Sequence, residues 1–400
     1  MRVVYVTAGL PYSSGQEEFF IPEIAELTRR GHRLLIVPRE KLGSIGGAEA
    51  RQLLGAARVL PLLAPEVVRS ALSEFRKQPG TSMRDLRIAC GRGRAAKRAK
   101  NLAVFPKGLW LARVAREFGA QHIHVQWLGT TANMALVAHH ITGIPWSATA
   151  HRWDIADNNL LEEKIRDASF VRFVSHKSME LAQSLSAFDI GGRSFVLHLG
   201  VRAPDAALSP VAGLAIKRLI CPANLKPVKG HKYLLKAMKI LRDRGVECEL
   251  VIAGDGPLRK GLGRMAHSLG VSDSVRFLGR LPHDELLSLY RKGEVAAVVL
   301  PSVDLGGGEH EGIPICLVEA MAHGVPVIST EAGGTPELLA GGCGMLVPPA
   351  SPEALAGSIE RVLSDGELRR TLCAAGRRRF EEEYAVEKIV DELERRIETT

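Results

Sequence analysis

The chain has 400 residues, of which 46% are hydrophobic and 24% are charged, and these proportions are typical of a globular protein rather than a disordered or fibrous one. Its length exceeds what one hydrophobic core usually supports, so we expect two domains. No apolar run approaches the roughly 18 residues that cross a bilayer, which argues against an integral membrane protein.

The first residues and the cysteines indicate the cellular compartment of the protein. The chain enters an apolar strand-like run at Val3–Thr7, so we expect no signal peptide. The six cysteines lie far apart and form no C-x-x-C pair, which favours reduced, buried thiols. Both features predict a cytoplasmic protein.

The formal net charge is +9, and the positive charge is concentrated in one segment. Twelve basic residues lie between Arg76 and Arg116, opposed nearby only by Asp85 and Glu117. Such a segment suits contact with an anionic polymer or lipid surface, and a solvated helical face is an equally good interpretation. The twelve are Arg76, Lys77, Arg84, Arg87, Arg92, Arg94, Lys97, Arg98, Lys100, Lys107, Arg113 and Arg116.

Apolar strand-like runs alternate with helical stretches along the chain, and the alternation occurs in two successive series. Continuous Val, Ile and Leu runs separated by helices predict parallel sheets covered on both faces. Two series in succession predict two doubly wound α/β domains. The first series is Val3–Thr7, Arg33–Val37, Arg58–Leu62, His122–Trp127, Trp146–Ala150, Phe170–Ser175 and Phe195–Gly200. The second is Leu219–Ala223, Glu249–Gly254, Val275–Gly279, Ala296–Pro301, Val327–Thr330 and Met345–Val347.

The domain boundaries follow from where these periods break. Small residues and prolines between Val201 and Gly213 predict a first domain over 1–203 and a second over 204–378. From Phe380 to Ile397 apolar residues recur at a helical period, so residues 379–400 are predicted to form a helix. Its apolar stripe needs a surface to cover it, and we expect that surface on the first domain.

The segment with the most chemical content runs from Ala296 to Leu339. A buried strand leads into a polar, glycine-rich loop that ends at Gly312, and Pro314 then opens a short helix that Gly324 stops. Backbone amides around Gly312 and Ile313 would therefore lie at a helix N-terminus, which favours a bound anion such as a diphosphate. Glu311 and Glu319 flank this helix start, and a carboxylate can accept two sugar hydroxyls. The alternative is a glutamate that merely complements the helix dipole.

Four further loops follow predicted strands, where ligands bind in open parallel sheets. In the second domain these are Asn224 to Gly230, which contains Lys229, and the turn with Gly254 and Gly256. In the first domain a small, flexible loop contains Gly15, and His151 ends a strand three residues before Asp154. Histidines and lysines at such positions are structural or surface residues in many proteins, so these four are candidates only.

The string from Glu311 to Val327, followed by Gly333-Gly334-Thr335-Pro336-Glu337, resembles the E-x7-E signature of the family 4 retaining glycosyltransferases of the GT-B fold. The resemblance implies two Rossmann-like domains facing a cleft, with the donor in the second. Glu319 would then bind the ribose hydroxyls of a nucleotide, and Glu311 would bind the transferred sugar, with Gly312 and Ile313 close to sugar and phosphate. Lys229 would neutralise the diphosphate, and His151 would touch the sugar.

The loop from Asn224 to Gly230 departs from the family pattern at one position. The resemblance puts an arginine where this chain has Asn224, and an amide cannot replace a guanidinium fork at a diphosphate. The loops with Gly15, Gly254 and Gly256 also resemble family segments. The sequence has neither zinc-ligand spacing nor an acidic metal cluster, so we expect no metal or other cofactor.

The pattern around Glu311 is also close to that of exopolysaccharide and colanic-acid-type glycosyltransferases. The implied partners are a nucleoside diphosphate (NDP) sugar and a saccharide or lipid-linked acceptor, with no nucleic acid. The basic segment would then contact the inner face of an anionic membrane. Two rival hypotheses are a non-catalytic binder of the same fold and a nicotinamide-dependent oxidoreductase. The second would need G-x-G-x-x-G after the first strand, and the residues after Thr7 lack that spacing.

Overall fold

The computed structural model covers the chain and describes residues 1–12, 18–45, 48–91, 94–204, 217–306 and 309–400. The chain divides into two compact units, the first formed by Met1–Gly200 with Val386–Thr400 and the second by Val201–Ala385. The sequence patterns placed the boundaries at 203/204 and 378/379. The residues up to Ala385 stay with the second unit because Val201 N donates to Tyr384 O at 2.8 Å, inside that unit.

The first unit is built on a six-stranded parallel sheet with the order β2-β1-β3-β4-β5-β6. Its strands are β1 (Arg2–Thr7), β2 (Arg33–Pro38), β3 (His122–Gln126), β4 (Trp146–Ala150), β5 (Phe170–Phe173) and β6 (Ser194–Val196). Its helices before the second unit are α1 (Ile21–Arg29), α2 (Ala48–Gln52), α3 (Pro65–Lys77), α4 (Pro79–Gly91), α5 (Ala95–Phe118), α6 (Thr130–Thr142), α7 (Arg152–Asp157), α8 (Leu161–Asp167) and α9 (His176–Ser184).

The second unit has another six-stranded parallel sheet, with the order β12-β11-β10-β7-β8-β9. Its strands are β7 (Arg218–Pro222), β8 (Glu249–Ala253), β9 (Val275–Gly279), β10 (Ala297–Leu300), β11 (Val327–Thr330) and β12 (Met345–Val347). Its helices are α10 (His231–Asp243), α11 (Arg259–Ser268), α12 (His283–Arg291), α13 (Ile315–Ala322), α14 (Thr335–Leu338), α15 (Pro352–Ser364) and α16 (Gly366–Glu383). The predicted class, two doubly wound α/β units, is confirmed.

Helix α17 (Val386–Glu398) returns to the first unit and packs against α1. Val390, Leu393 and Ile397 are buried at helical spacing, as the apolar stripe predicted. Arg30 ties the two helices together, because its guanidinium donates to Asp391 at 2.5 Å and to Glu394 at 3.0 Å. The C-terminal helix therefore covers its apolar face on the first unit.

Three sequence expectations are wrong in detail. The helix expected over 379–400 is interrupted, because α16 ends at Glu383 and α17 begins at Val386, with Phe380 and Tyr384 buried in the core of the second unit. The strand expected at Arg58–Leu62 does not form, since only Ala57 bridges to Ile36 before the chain turns at Pro61. Among the thiols expected to be buried, Cys90 is exposed.

Within the described ranges, no helix has both the length and the hydropathy that a bilayer span requires.

Candidate active site

Two loops meet where the strand order of the second sheet reverses. Strands β7 and β10 are neighbours in the sheet, although β8 and β9 lie between them in the sequence. In doubly wound sheets, ligands bind beyond the carboxyl ends of the strands at such a reversal. Residues 223–230 follow β7 and residues 301–314 follow β10, so both loops that contain predicted donor-site residues reach this position.

A lysine and a glutamate are paired between these loops. Lys229 Nζ, from the loop after β7, forms an ion pair with Glu311 Oε2, from the loop after β10. Ser302 Oγ donates to the same carboxylate oxygen at 3.3 Å. Burial is the largest single influence on Lys229 and disfavours its charge, but the charge and hydrogen bond of Glu311, together with Cys316 and Cys221, outweigh it, so the pKa of Lys229 is raised. The site therefore holds a permanent cation beside a carboxylate.

Glycines allow the loops to touch backbone to backbone. Gly230 has a positive φ of 65°, and a Cβ there would lie 1.8 Å from the carbonyl oxygen of Pro301. At Gly254 a Cβ would lie 1.9 Å from Ala223 O, and at Gly333, also in a positive-φ conformation, 1.9 Å from Glu311 O. Since real Cβ atoms never come so close to an oxygen, only glycine fits at these contacts.

Gly256 makes the fourth close approach. Its φ is 157°, and a Cβ there would lie 2.8 Å from Leu225 O. The turn after β8 is thereby pressed against the loop after β7, where Leu225 N also donates to Asp255 O at 3.0 Å. The glycines selected from the sequence at 254 and 256 thus fix the shape of the loop that contains Lys229.

The N-terminus of α13 is not capped by any side chain of the described residues. Pro314 is the N-cap and the helix begins at Ile315, one residue later than the sequence predicted. The first amides of such a helix have no partner inside it, and they point outward with the positive end of the helix dipole. A Cβ on Gly312 would meet no described atom within 4 Å, so there is open space beside the backbone there. Ile313 is half-buried against Gly334.

Glu319 lies in the second turn of α13 and pairs with a histidine. His283 Nε2, in the first turn of α12, donates to Glu319 Oε1 at 2.7 Å. The Glu319 side chain is only 13% exposed, whereas that of His283 is 58% exposed. The shielded carboxylate is thus held from the solvent side.

His151 belongs to the first unit, where it is the N-cap of α7 directly after β4. Its ring is buried against Trp127, with centroids 4.3 Å apart, and against Phe19 at 5.5 Å. Its Nε2 lies 3.2 Å from Gln126 Oε1. Burial lowers the pKa of His151 to about 3, so the imidazole is neutral at physiological pH and can only act through hydrogen bonds.

Asp154, three residues later, accepts hydrogen bonds from backbone amides. Its Oδ1 accepts from His151 N at 2.8 Å and from Ile155 N at 3.0 Å, and its Oδ2 accepts from Leu128 N. This carboxylate holds the loops after β3 and β4 in place. Burial raises its pKa to about 7, against the hydrogen bonds that favour the charged form.

Comparisons with known proteins add independent observations. The sequence model of the family "Glycosyl transferases group 1" matches residues 216–379. The GDP-mannose-dependent alpha-(1-6)-phosphatidylinositol monomannoside mannosyltransferase of Mycolicibacterium smegmatis is 30% identical over 296 residues, covering 68% of this chain and 76% of the mycobacterial enzyme. This chain belongs to the group 1 glycosyltransferases.

Two further proteins are similar to this glycosyltransferase, one in sequence and one in structure. The amylovoran biosynthesis glycosyltransferase AmsK of Erwinia amylovora is 29% identical over 260 residues, which cover 61% of each chain. The crystal structure of HepE from Anabaena, in complex with UDP and glucose, superposes with a TM-score of 0.72 over 100% of both chains at 17% identity. The structural likeness supports the GT-B fold.

The structure brings some of the predicted site residues of this glycosyltransferase together and not others. Lys229 and Glu311 are in contact, and Gly312 and Ile313 lead from Glu311 into α13. Asn224 is exposed at the start of the loop after β7. Gly15 lies outside the described residues.

Sequence reasoning missed Ser302 and His283. Ser302 is the second residue after β10, and His283 is the first residue of the helix after β9. Both positions follow strand ends, so the same rule that selected His151 would have found them.

Replacing Gly230 by alanine is expected to destabilise the second unit by about 2 kcal/mol or more, because the new Cβ would collide with a carbonyl oxygen at a positive φ. Gly261, inside α11 with no described atom within 4 Å of a Cβ, is the matched control, and alanine there should stabilise by up to about 1 kcal/mol. Urea unfolding of both variants checks this. Equal stabilities would show that the loops do not touch as described.

Proposed function

We propose that this chain is a retaining glycosyltransferase that moves a sugar from an NDP-sugar to a saccharide or lipid-linked acceptor. The observation that carries the proposal is the placement of Lys229, Glu311 and the uncapped start of α13 at the strand-order reversal of the second sheet. A cation and outward-pointing amides suit a diphosphate, and the adjacent carboxylate suits sugar hydroxyls.

The leaving diphosphate would be stabilised by Lys229 together with the first amides of α13. Lys229 is paired with Glu311 in the structure. On donor binding, phosphate oxygens would compete for the ammonium group while sugar hydroxyls take its place at the carboxylate. Asn224 offers hydrogen bonds without charge, so the cation that this loop places beside Glu311 is Lys229.

The remaining roles complete the donor site. Glu319 would accept hydrogen bonds from the ribose hydroxyls, and Gly254 and Gly256 would shape the loop that contains Lys229. The neutral imidazole of His151 would hydrogen-bond the transferred sugar, and we propose Gly15 as a further donor-binding residue. The described residues contain no group of three His, Cys, Asp or Glu side chains arranged to hold a metal ion. We propose that transfer needs no metal, because the lysine and the helix start are positioned to meet the diphosphate charge.

Retention of configuration follows if the acceptor attacks from the face that the diphosphate leaves. The departing phosphate can then take the acceptor proton, and no nucleophilic side chain is required. Burial raises the pKa of the Cys316 thiol, next to the site, to about 12, so it is not a thiolate nucleophile.

The biological role that we propose is exopolysaccharide or other cell-surface glycan synthesis at the inner face of the membrane. The relatives named for amylovoran biosynthesis and for a phosphatidylinositol mannoside support it. Only some bases of the basic segment in α3 to α5 are available for membrane contact, because several of them have partners within the protein. Lys107 is buried and donates to three backbone carbonyls, and Arg113 and Arg116 pair with Glu117 and Glu74.

The bases that remain exposed form what we call the basic cluster. Three apolar side chains, Leu72, Met83 and Leu102, are also exposed on the same helices, a mixture that suits an anionic lipid surface. Lys77, Arg84 and Lys97 are excluded because they pair with Glu74, Asp85 and Asp157. Arg92 lies outside the described residues. The basic cluster is Arg76, Arg87, Arg94, Arg98 and Lys100.

A panel of UDP-, GDP- and ADP-sugars is expected to raise the melting temperature of the purified protein for one nucleotide class. A ligand at 100 times its Kd stabilises the folded state by about 2.7 kcal/mol. Glu319→Ala should weaken binding about tenfold or more, since a carboxylate that accepts two hydroxyls is lost. Glu247→Ala, an exposed glutamate of the same unit, is the control, and EDTA should change nothing. No shift with any sugar nucleotide would contradict the donor site and favour the non-catalytic or oxidoreductase hypotheses.

The product of transfer is expected to keep the anomeric configuration of the donor sugar. Proton NMR of the anomeric signal, recorded on early product with an alkyl glycoside acceptor, measures this directly. An inverted anomer would refute the mechanism, and donor binding without any product would favour the binder.

Neutralising four members of the basic cluster to glutamine is expected to reduce binding to vesicles containing anionic lipid at least tenfold, since each base near such a surface contributes about 1 kcal/mol. Co-sedimentation with vesicles measures this. Neutralising four exposed bases of the second unit is the control and should have little effect. Equal loss in both sets would mean that binding follows net charge and not this surface. The two sets are Arg87, Arg94, Arg98 and Lys100, and Lys236, Arg242, Arg291 and Lys292.

A further inference from the structure

The contact between His283 and Glu319 joins α12 to α13, two helices that follow non-adjacent strands of the second sheet. Strands β9 and β10, which precede α12 and α13, are separated in the sheet by β7 and β8. Nevertheless His283 Nε2 lies 2.7 Å from Glu319 Oε1. Since a carboxylate only accepts hydrogen bonds, the Nε2 atom must carry the proton, and it does so in the imidazolium and in one neutral tautomer.

The pair leaves acceptor capacity on both carboxylate oxygens, because each oxygen can accept two hydrogen bonds. Among the described residues, Glu319 Oε2 receives no side-chain hydrogen bond, and Oε1 receives only the one from His283. The backbone of Glu319 is fixed separately, because its carbonyl oxygen accepts from His323 N at 3.1 Å and lies 2.8 Å from His323 Nδ1. What His283 adds is therefore the orientation of the carboxylate group itself.

The orientation of the Glu319 carboxylate affects how well it can bind two adjacent hydroxyls, a vicinal diol. Two adjacent hydroxyls donate to the two oxygens of one carboxylate only when its plane faces them, and a free side chain must lose rotamer entropy to adopt that state. A charge-assisted hydrogen bond from a neighbour can supply this order before the ligand arrives.

We propose that His283 is a positioning residue of the donor site, which holds Glu319 in the orientation that binds the ribose hydroxyls of the nucleotide. This rests on the role proposed above for Glu319. His283 would thereby set the affinity for the nucleotide without taking part in sugar transfer.

The test uses the full chain, with GDP and UDP as probes in titration calorimetry. His283→Ala is expected to raise the Kd of the nucleotide that binds by about 5-fold, the size of one exposed hydrogen bond to a charged group. His283→Gln can place an amide N–H near the position of Nε2 and should stay within about 2-fold of wild type. In transfer assays the alanine variant should raise KM with little change in kcat.

The double variant separates positioning from a general structural effect. If His283 acts through Glu319, then His283→Ala adds less than about 2-fold once Glu319→Ala is present. His267→Ala, at an exposed histidine of α11, is the matched control and should bind as wild type does. The melting temperature without nucleotide should be unchanged by His283→Ala, since the side chain is mostly exposed.

Three results would overturn the proposal. They are an unchanged or tighter Kd in His283→Ala, an undiminished effect of that change in the Glu319→Ala background, and a glutamine variant as weak as the alanine one. A tighter Kd would mean that His283 blocks Glu319 instead of orienting it. If wild type binds neither probe, or Glu319→Ala binds as wild type does, the proposed donor site itself fails, which is a different outcome.

Discussion

The candidate site depends on backbone-to-backbone contact between the loops that follow β7, β8, β10 and β11. Gly230, Gly254 and Gly333 each lie so close to a carbonyl oxygen of a neighbouring loop that no side chain fits between them. This contact brings Lys229 within ion-pair distance of Glu311 and leads the chain directly into the start of α13. A wider spacing would leave the lysine on the surface, where it would be one solvated charge among many.

The close spacing of these loops also lets the charged groups of the site offset one another. The two glutamates on either side of the start of α13 each have a positively charged or hydrogen-bond-donating partner, Lys229 for Glu311 and His283 for Glu319. Partly shielded carboxylates are costly without such partners. The amides at the start of α13, in contrast, are held in place by the helix backbone.

The first unit is organised differently, by buried polar side chains on one face of its sheet. His122 and His124 both hydrogen-bond to Ser147 Oγ, at 2.7 and 2.8 Å, and burial lowers the pKa of His122 to about 3. Both histidines are buried and hydrogen-bonded within the first unit. The same face holds Gln126, whose amide lies between Tyr5 and His151 and fixes the position of the His151 ring.

The sequence by itself determined the fold class and most strands, because long buried apolar runs separated by helical periods allow few other arrangements. It also selected Glu311 and Glu319, since their spacing around a glycine-rich loop and a short helix is local, and it selected Lys229 because the loop that contains it resembles a family segment. Two kinds of feature needed the tertiary structure. The break between α16 and α17 was invisible, because the apolar period continues through Tyr384 while the packing partner changes from one unit to the other. The pairing of His283 with Glu319 joins residues 36 positions apart, and only the folded sheet decides which strand ends come together.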